Sequence, residues 1–389
     1  MKSRVGWIVE GDRNTKFFHT STLVCKRSNK IIRLRNSVGE WITDSNLIRL
    51  HIQRGFEDLF STSHLHVPSG FSLPSWAPRV LDLEALDISA PVSDKDIKTS
   101  LWSFKPFKAP GPDGLHSGFF QKCWNTVGDS VTNEVKHIFT NGRMPTYLNK
   151  ILISLIPKCI GPETLSQFRP ISLCNTVYKI VTKILVCRIR PIIGNLVSPY
   201  QAAFVPGRRG IDNVIIAQEL IHSMHRKKSR VGQLVLKLDL EKAYDRLEWS
   251  FIREVLTFFK FPSNFVKLVL ECVTTSSFSI LVNGGQMENF KPSKGIRQGD
   301  PLSPYIFVLC MEYLSLKILE ECDNNSWKGS KASRGGPVFS HLFFADDLLL
   351  CAEASISCCH TIARVLDDFC YHSGQKVSLS KSKVYFSLM

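Results

Sequence analysis

Two adjacent acids, Asp346 and Asp347, interrupt a run of apolar residues, His341-Leu-Phe-Phe-Ala-Asp-Asp-Leu-Leu-Leu350, that otherwise has the makings of a buried strand. Ionised carboxylates buried without a partner are costly or take up a proton, so positive charge is expected beside them. A β-hairpin with the pair at its turn brings Asp346 to a strand end, where Asp239, far away in the chain, is the candidate to meet it. Oxygen ligands converging in this way suit Mg²⁺, which keeps several waters and takes substrate phosphates as well. Two such ions, roughly 3.5–4 Å apart, would serve an in-line phosphoryl displacement. One lowers the pKa of an attacking hydroxyl and the other stabilises the leaving oxygen. Each acid also has a plainer reading. Asp-Asp is a common turn pair, and Asp239 alone could cap a following helix. Their joint occurrence in this order carries more weight than either.

The elements around these acids can be read from periodicity. Leu234, Leu236, Leu238 and Leu240 alternate with Val235, Lys237 and Asp239, the pattern of a half-buried strand with Asp239 pointing away from the leucine face. Ile252, Val255, Leu256 and Phe259 then recur at helical spacing. The order is strand, carboxylate, helix. A second helix is expected after Ser303-Pro304, with Ser as N-cap and Pro at the first helical position. The stretch from Asn324 to Pro337 reads as a surface loop, and the basic run His225–Arg230 as a solvated loop rather than a localisation signal. A Ser/Pro-rich stretch from Ser61 to Pro78 reads as a linker or exposed loop. From Pro91 onward the chain reads as one continuous α+β unit.

Composition narrows the partners. Of 389 residues 44% are hydrophobic and 21% charged, which excludes disordered, collagenous and disulfide-miniprotein classes. The excess of 49 basic over 34 acidic side chains, a net charge of +15, favours a polyanion as partner, because Lys and Arg displace the counterions condensed on phosphate backbones. The N-terminus has no apolar signal region and no uninterrupted apolar run reaches membrane-spanning length. The 12 cysteines never form Cys-x-x-Cys and are expected as free thiols, which points to the nucleus or cytoplasm. Cys358-Cys359-His360 lacks a second ligand pair for a metal.

At this point the chain resembles a family, the reverse transcriptases of non-LTR (LINE-type) retrotransposons, in particular those of plants. The resemblance is an ordered series of blocks. Trp7–His19 is similar to the segment joining an upstream endonuclease to the polymerase, and Lys108-Ala-Pro-Gly-Pro-Asp-Gly-Leu115 to the N-terminal fingers motif. Ile153–Lys158 and Phe168–Leu173 resemble the fingers hairpin, and Tyr200–Arg208 with Asp212-Asn213 the next block. Asp239–Asp245, Gly295–Pro304, Phe344-Ala-Asp-Asp347 and Ser373–Lys381 follow. The resemblance implies an α+β right-hand fold of fingers and palm, with the thumb largely absent. It divides the chain into a connector (1–60), a linker (61–90), fingers with the start of the palm (91–230) and a palm bearing the carboxylates (231–389).

It also implies roles. Asp239 and Asp346 become the principal catalytic ligands of two Mg²⁺ ions, with Mn²⁺ as an alternative, and Asp347, close by, a third and less directly bound one. Tyr244 becomes the side chain under the sugar, where a ring collides with a 2′-hydroxyl; its plainer reading is a core aromatic. Lys158 and Arg169 would hold the triphosphate, where cations neutralise charge as pyrophosphate leaves. Gln298 would hydrogen-bond the nucleotide or template, with Gly295 and Gly299 allowing close backbone approach. Lys381 would donate a proton to pyrophosphate. The chain departs from the pattern at Tyr244, where many relatives have Phe, and at Ser378, where Asn is usual. The expected activity is RNA-directed DNA synthesis from dNTPs on a DNA primer or target, with an RNA template. Its rivals are a catalytically silent, truncated nucleic-acid-binding relic and an RNA-copying polymerase or maturase.

Overall fold

A computed structural model of the chain describes residues 16–62, 68, 70–226, 232–333 and 335–387. Among them the strands are, in chain order, β1 (Leu34–Arg35), β2 (Trp41–Ile42), β3 (Lys150–Pro157), β4 (Phe168–Cys174), β5 (Gln233–Leu238), β6 (Ser277–Val282), β7 (Gly285–Gln286), β8 (Ser330–Lys331), β9 (Val338–Phe339), β10 (His341–Phe344), β11 (Asp347–Glu353) and β12 (Lys383–Phe386). Two four-stranded sheets dominate, ordered β4-β3-β6-β7 and β10-β11-β5-β12. Alternation builds the first: Ile151, Ile153 and Leu155 of β3 are buried, with half-buried residues between them. β3 pairs antiparallel with β4 and parallel with β6. In the second sheet β5 lies between β11 and β12, antiparallel to both.

Helices supply the rest of the core. Ile252, Val255, Leu256 and Phe259 are all buried, on and just beyond the helix Trp249–Phe258. The helix Ser303–Asp323 is buried on every face from Ile306 to Leu316, so it runs through the middle of the core rather than over it. The start of this helix differs from the expectation. Leu302 is the N-cap residue, and Ser303 lies inside the first turn with a buried hydroxyl that has no partner among the described residues. The fixed φ of Pro304 begins the helix without a side-chain cap.

Three other readings change. Val235, expected on the polar face of its strand, is fully buried beneath the helix Gly210–Arg226 with Leu220, Met224, Leu342 and Cys351. The sheet is covered on both faces at that level, so simple alternation fails there. Within 61–90, expected as a linker, Phe71 packs on Phe251 and Tyr313, Ala77, Val80 and Ile88 are buried, and Asp82–Ser89 is a helix. Within the loop 324–337, Trp327 is only 2% exposed and its indole N–H donates to the Cys351 carbonyl at 3.1 Å.

In the N-terminal segment the helix Ser45–Phe60 is capped by Asp44, which accepts from the Asn46 and Leu47 amides. The helix docks on the first sheet through Phe60, edge-on to Phe278 at 5.0 Å. Residues 7–15 of the block Trp7–His19 and residues 227–230 of the basic run lie outside the described residues. All twelve cysteines are free thiols, and no described helix is long and apolar enough to cross a membrane.

Candidate active site

The two sheets meet at a cavity of about 470 Å³. Its lining contains Asp239 and Asp346 with Lys158, Arg169, Tyr244, Gln298, Gly299 and Lys381, all of them residues singled out in the sequence. Asp347 does not line it. It opens β11 one residue after Asp346 and contributes to a separate, largely apolar cavity with Phe344, Leu349 and Val214.

Strand register explains how the acids meet. Leu238 pairs with Leu348, so Asp239, one residue past the end of β5, stands at the same end of the ladder as the β10–β11 turn. Phe344 pairs with Asp347, leaving Ala345 and Asp346 as a two-residue hairpin loop. Such loops need positive φ, and Ala345 adopts φ +54°. For a residue with a Cβ this costs about 1–2 kcal/mol. The Asp239 backbone is gripped from the far side: its N–H donates to Ser382 Oγ at 3.3 Å and its carbonyl accepts the Ser378 N–H at 2.8 Å. That turn carries Lys381, whose Nζ lies 3.8 Å from Asp239 Oδ1. Because Ser378 acts through its backbone N–H here, that hydrogen bond does not depend on whether Ser or Asn stands at 378.

Charge crowding marks the cavity. Burial raises the pKa of Asp346, the nearby charges of Asp347 and Asp239 add to this, and Arg169 opposes it. Lys158 is lowered by burial and then by Lys381 and Arg169, against the pull of Asp245 and Asp239. It sits just past the end of β3, and its Nζ donates to the Ser166 carbonyl at 2.8 Å. Among the described residues no three His, Cys, Asp or Glu side chains form a closed cage for an ion. A Mg²⁺ that completes its shell with water and phosphate needs fewer protein ligands than such a cage, and two carboxylates lining an open cavity fit that requirement.

The loop from Gly295 to Gly299 straps the cavity together. The Gly295 and Ile296 amides donate to the Leu247 and Tyr244 carbonyls, each at 2.8 Å, and the Gln298 carbonyl accepts the Ser172 amide of β4 at 2.8 Å. Both glycines have positive φ, +90° and +111°. A Cβ on Gly295 would lie 2.7 Å from the Asp245 carbonyl oxygen, and one on Gly299 3.1 Å from that of Ser172. Only glycine fits so close an approach without strain. Arg297, in the same loop, serves the fold. It is buried over the Tyr178 ring at 4.3 Å and donates to Asn149 Oδ1 and the Cys272 carbonyl.

The Tyr244 ring stacks on Phe307, with centroids 4.8 Å apart, and it also lines the cavity. Burial and then the charge of Asp346 raise its pKa, so the hydroxyl stays neutral.

The sequence reading passed over two further residues of the cavity lining, Lys242 and Asp245. Asp245 is 2% exposed and burial pushes its pKa up to about 7, against the opposing pull of Lys242, Gln298 and Lys158. Gln298 Nε2 donates to both of its oxygens, at 3.1 and 3.3 Å. Lys242 has φ +48° at the entry to the short helix Ala243–Arg246, and burial lowers its pKa. Both lie within the Asp239–Asp245 block, and a second acid six residues beyond the first was the available signal.

Residues 156–387 match the family described as reverse transcriptase (RNA-dependent DNA polymerase). Over 314 residues the chain is 28% identical to the uncharacterized 149 kDa protein of transposon TX1 from Xenopus laevis, which spans 80% of this chain and 24% of that protein. Over 277 residues it is 28% identical to the retrovirus-related Pol polyprotein from the type-2 retrotransposable element R2DM of Drosophila melanogaster, covering 71% of this chain and 24% of the polyprotein. A 67-residue stretch is 43% identical to an uncharacterized mitochondrial protein of Arabidopsis thaliana, covering 17% of this chain and 55% of that protein. The chain thus spans about a quarter of the length of the first two relatives. The α+β architecture described above is the palm and fingers of a polymerase. With the motif blocks, the cavity and the family match in agreement, the chain belongs to the reverse transcriptase (RNA-dependent DNA polymerase) family, as a domain of the non-LTR retrotransposon kind.

Proposed function

We propose that this cavity carries out RNA-directed DNA synthesis, adding a deoxynucleotide from a dNTP to a DNA 3′-hydroxyl opposite an RNA template. The observation that carries the proposal is the joining of Asp239 and Asp346 to Lys158, Arg169 and Lys381 around one opening. In the reaction the 3′-hydroxyl releases its proton to water and its oxygen bonds to the α-phosphorus, the bond from that phosphorus to the β-phosphate oxygen breaks, and pyrophosphate leaves. Asp239 and Asp346 are the residues that would hold Mg²⁺ there, and the bound ions supply charge stabilisation and a lowered pKa for the hydroxyl. Mn²⁺ offers the same coordination, and Asp347 shapes the turn beside the ligands.

Arg169 and Lys158 orient the triphosphate and balance the charge that gathers on the leaving pyrophosphate. Lys381 holds a proton within reach of the same group. Tyr244 forms the floor under the sugar and excludes a 2′-hydroxyl by steric contact, while Gln298 and Gly299 line the same cavity and meet the nucleotide or template. The net charge of +15 retains the template and the primer or target through their phosphates.

Primer extension on poly-rA/oligo-dT with labelled dTTP tests the reading. The wild-type chain is expected to incorporate dTMP in a Mg²⁺-dependent manner, and Asp239→Asn and Asp346→Asn each to abolish incorporation while retaining RNA binding. Incorporation by either variant at the wild-type rate contradicts the assigned roles.

A further inference from the structure

The turn that carries Asp346 is held by a side chain from a distant part of the chain. Gln201 is 1% exposed. Its Oε1 accepts the Ala345 amide at 3.0 Å, across a separation of 144 residues, and the Ala203 amide at 2.9 Å. Both partners are donors, which fixes the orientation of the carboxamide: the oxygen must face them. The Nε2 atom has no partner among the described residues, so the burial of this group is justified by its oxygen alone.

The segment bearing Gln201 is itself anchored. It runs parallel to β10, with the Phe343 amide donating to the Tyr200 carbonyl at 2.8 Å and the Ala202 amide to the Phe343 carbonyl at 3.0 Å. Asn213 Nδ2 donates to the same Phe343 carbonyl at 2.9 Å, and Arg208 ties down the Gln201 carbonyl at 2.9 Å. The clamp therefore joins a rigid base to Ala345, the one turn residue with positive φ, which directly precedes Asp346.

We infer that Gln201 is a positioning residue: its carboxamide oxygen fixes the Ala345 amide and thereby aims the Asp346 carboxylate toward Asp239. The inference rests on the role given to Asp346 above, and two of its three readouts do not require turnover. A residue needed only to fill space would be replaced by Met at equal length, whereas a clamp requires an accepting oxygen, which Glu retains.

Gln201→Met and Gln201→Glu are compared by hydrogen exchange of the peptide 341–350, by Mn²⁺ binding followed with electron paramagnetic resonance, and by primer extension. In the Met variant exchange at the turn is expected to quicken at least tenfold with the rest of the palm unchanged. Mn²⁺ affinity and kcat fall about 10–100-fold, and KM for dTTP stays at the wild-type value because Lys158 and Arg169 are untouched. The Glu variant retains turn protection and most of kcat. Unchanged exchange and Mn²⁺ affinity in the Met variant overturn the inference, as does an equal loss in both variants with exchange accelerated throughout the palm. If the wild-type chain does not extend a primer, the proposed activity fails while exchange and Mn²⁺ binding still decide the clamp.

Discussion

The two four-stranded sheets bring opposite charges to one cavity. The sheet β10-β11-β5-β12 supplies acids at strand ends, Asp239 after β5 and Asp346 in the β10–β11 turn, with Lys381 in the turn that leads into β12, whereas the sheet β4-β3-β6-β7 supplies cations alone, Lys158 after β3 and Arg169 within β4. Each set is uncomfortable by itself. The acids push the pKa of Asp346 up beyond the effect of burial, and the cations push that of Lys158 down beyond it. Brought together, they offset one another across the opening. In the proposed reaction this becomes a division of labour, in which the acids act on the reacting atoms and the cations act on the triphosphate. The loop Gly295–Gly299, bonded to both sheets' surroundings, sets the distance between them.

This division can be broken from the cationic side. Removal of Arg169 (Arg169→Ala) is expected to lower kcat/KM for dTTP by about 10²-fold, mainly through KM, whereas loss of an acid abolishes turnover. Lys158→Ala should cost less, because the Lys158 ammonium already donates to the Ser166 carbonyl and is weakened by neighbouring cations. Steady-state kinetics with varied dTTP separates these outcomes. A fall in kcat alone for Arg169→Ala would erase the distinction between the two sheets.

Tyr244 sharpens the comparison, since it stands on the acidic side yet touches the sugar in the proposed pose. Tyr244→Val is expected to reduce discrimination between dTTP and UTP by about tenfold or more, or ~1.4 kcal/mol, and to lower Tm through loss of the stack on Phe307. Tyr244→Phe keeps the ring and should keep both properties. Competition between dTTP and UTP in primer extension measures the first effect, and thermal unfolding the second. Unchanged discrimination in Tyr244→Val would leave only the core-aromatic role.

Much of this site is legible in the sequence because its parts are local. The alternation of Leu234–Leu240 followed by Asp239, the acids within an apolar hairpin and the glycines of Gly295–Gly299 each announce a strand end, a turn or a close approach over a few residues. What could not be read depends on contacts between distant segments. Val235 is buried because the helix Gly210–Arg226 folds over it, and Phe71 is core because it reaches Phe251 and Tyr313. Asp347 and Asp346 look equivalent as a pair, but in the hairpin Asp346 lines the polar cavity and Asp347 the apolar one. Gln201 lies in the motif block Tyr200–Arg208, but its contact with the turn could not be read there, since its partner is far along the chain.

A carboxylate outside the cavity lining shows what burial does to an acid when hydrogen bonds and the charge of Arg208 oppose it only in part. Glu312 lies within the buried helix Ser303–Asp323, where burial pushes its pKa from 4.5 up to about 8. Ser198 Oγ donates to one oxygen at 3.3 Å, and the other has no partner among the described residues. Below the ordinary value both folded and unfolded chains hold this proton. Between 4.5 and about 8 the unfolded chain releases it while the folded chain keeps it, so stability falls as pH rises through that window. Asp245, raised to about 7, adds to the same slope, while His341, lowered to about 3 by burial, removes stability on the acid side, below the ordinary histidine range. Glu312→Gln keeps the shape and removes the titration. It is expected to raise Tm at pH 8 by about 2–4 °C, to leave it unchanged near pH 4.5, and to leave dTTP incorporation intact. Thermal unfolding across this range checks the expectation, and a variant whose Tm declines with pH as steeply as wild type would show that Glu312 does not carry this titration.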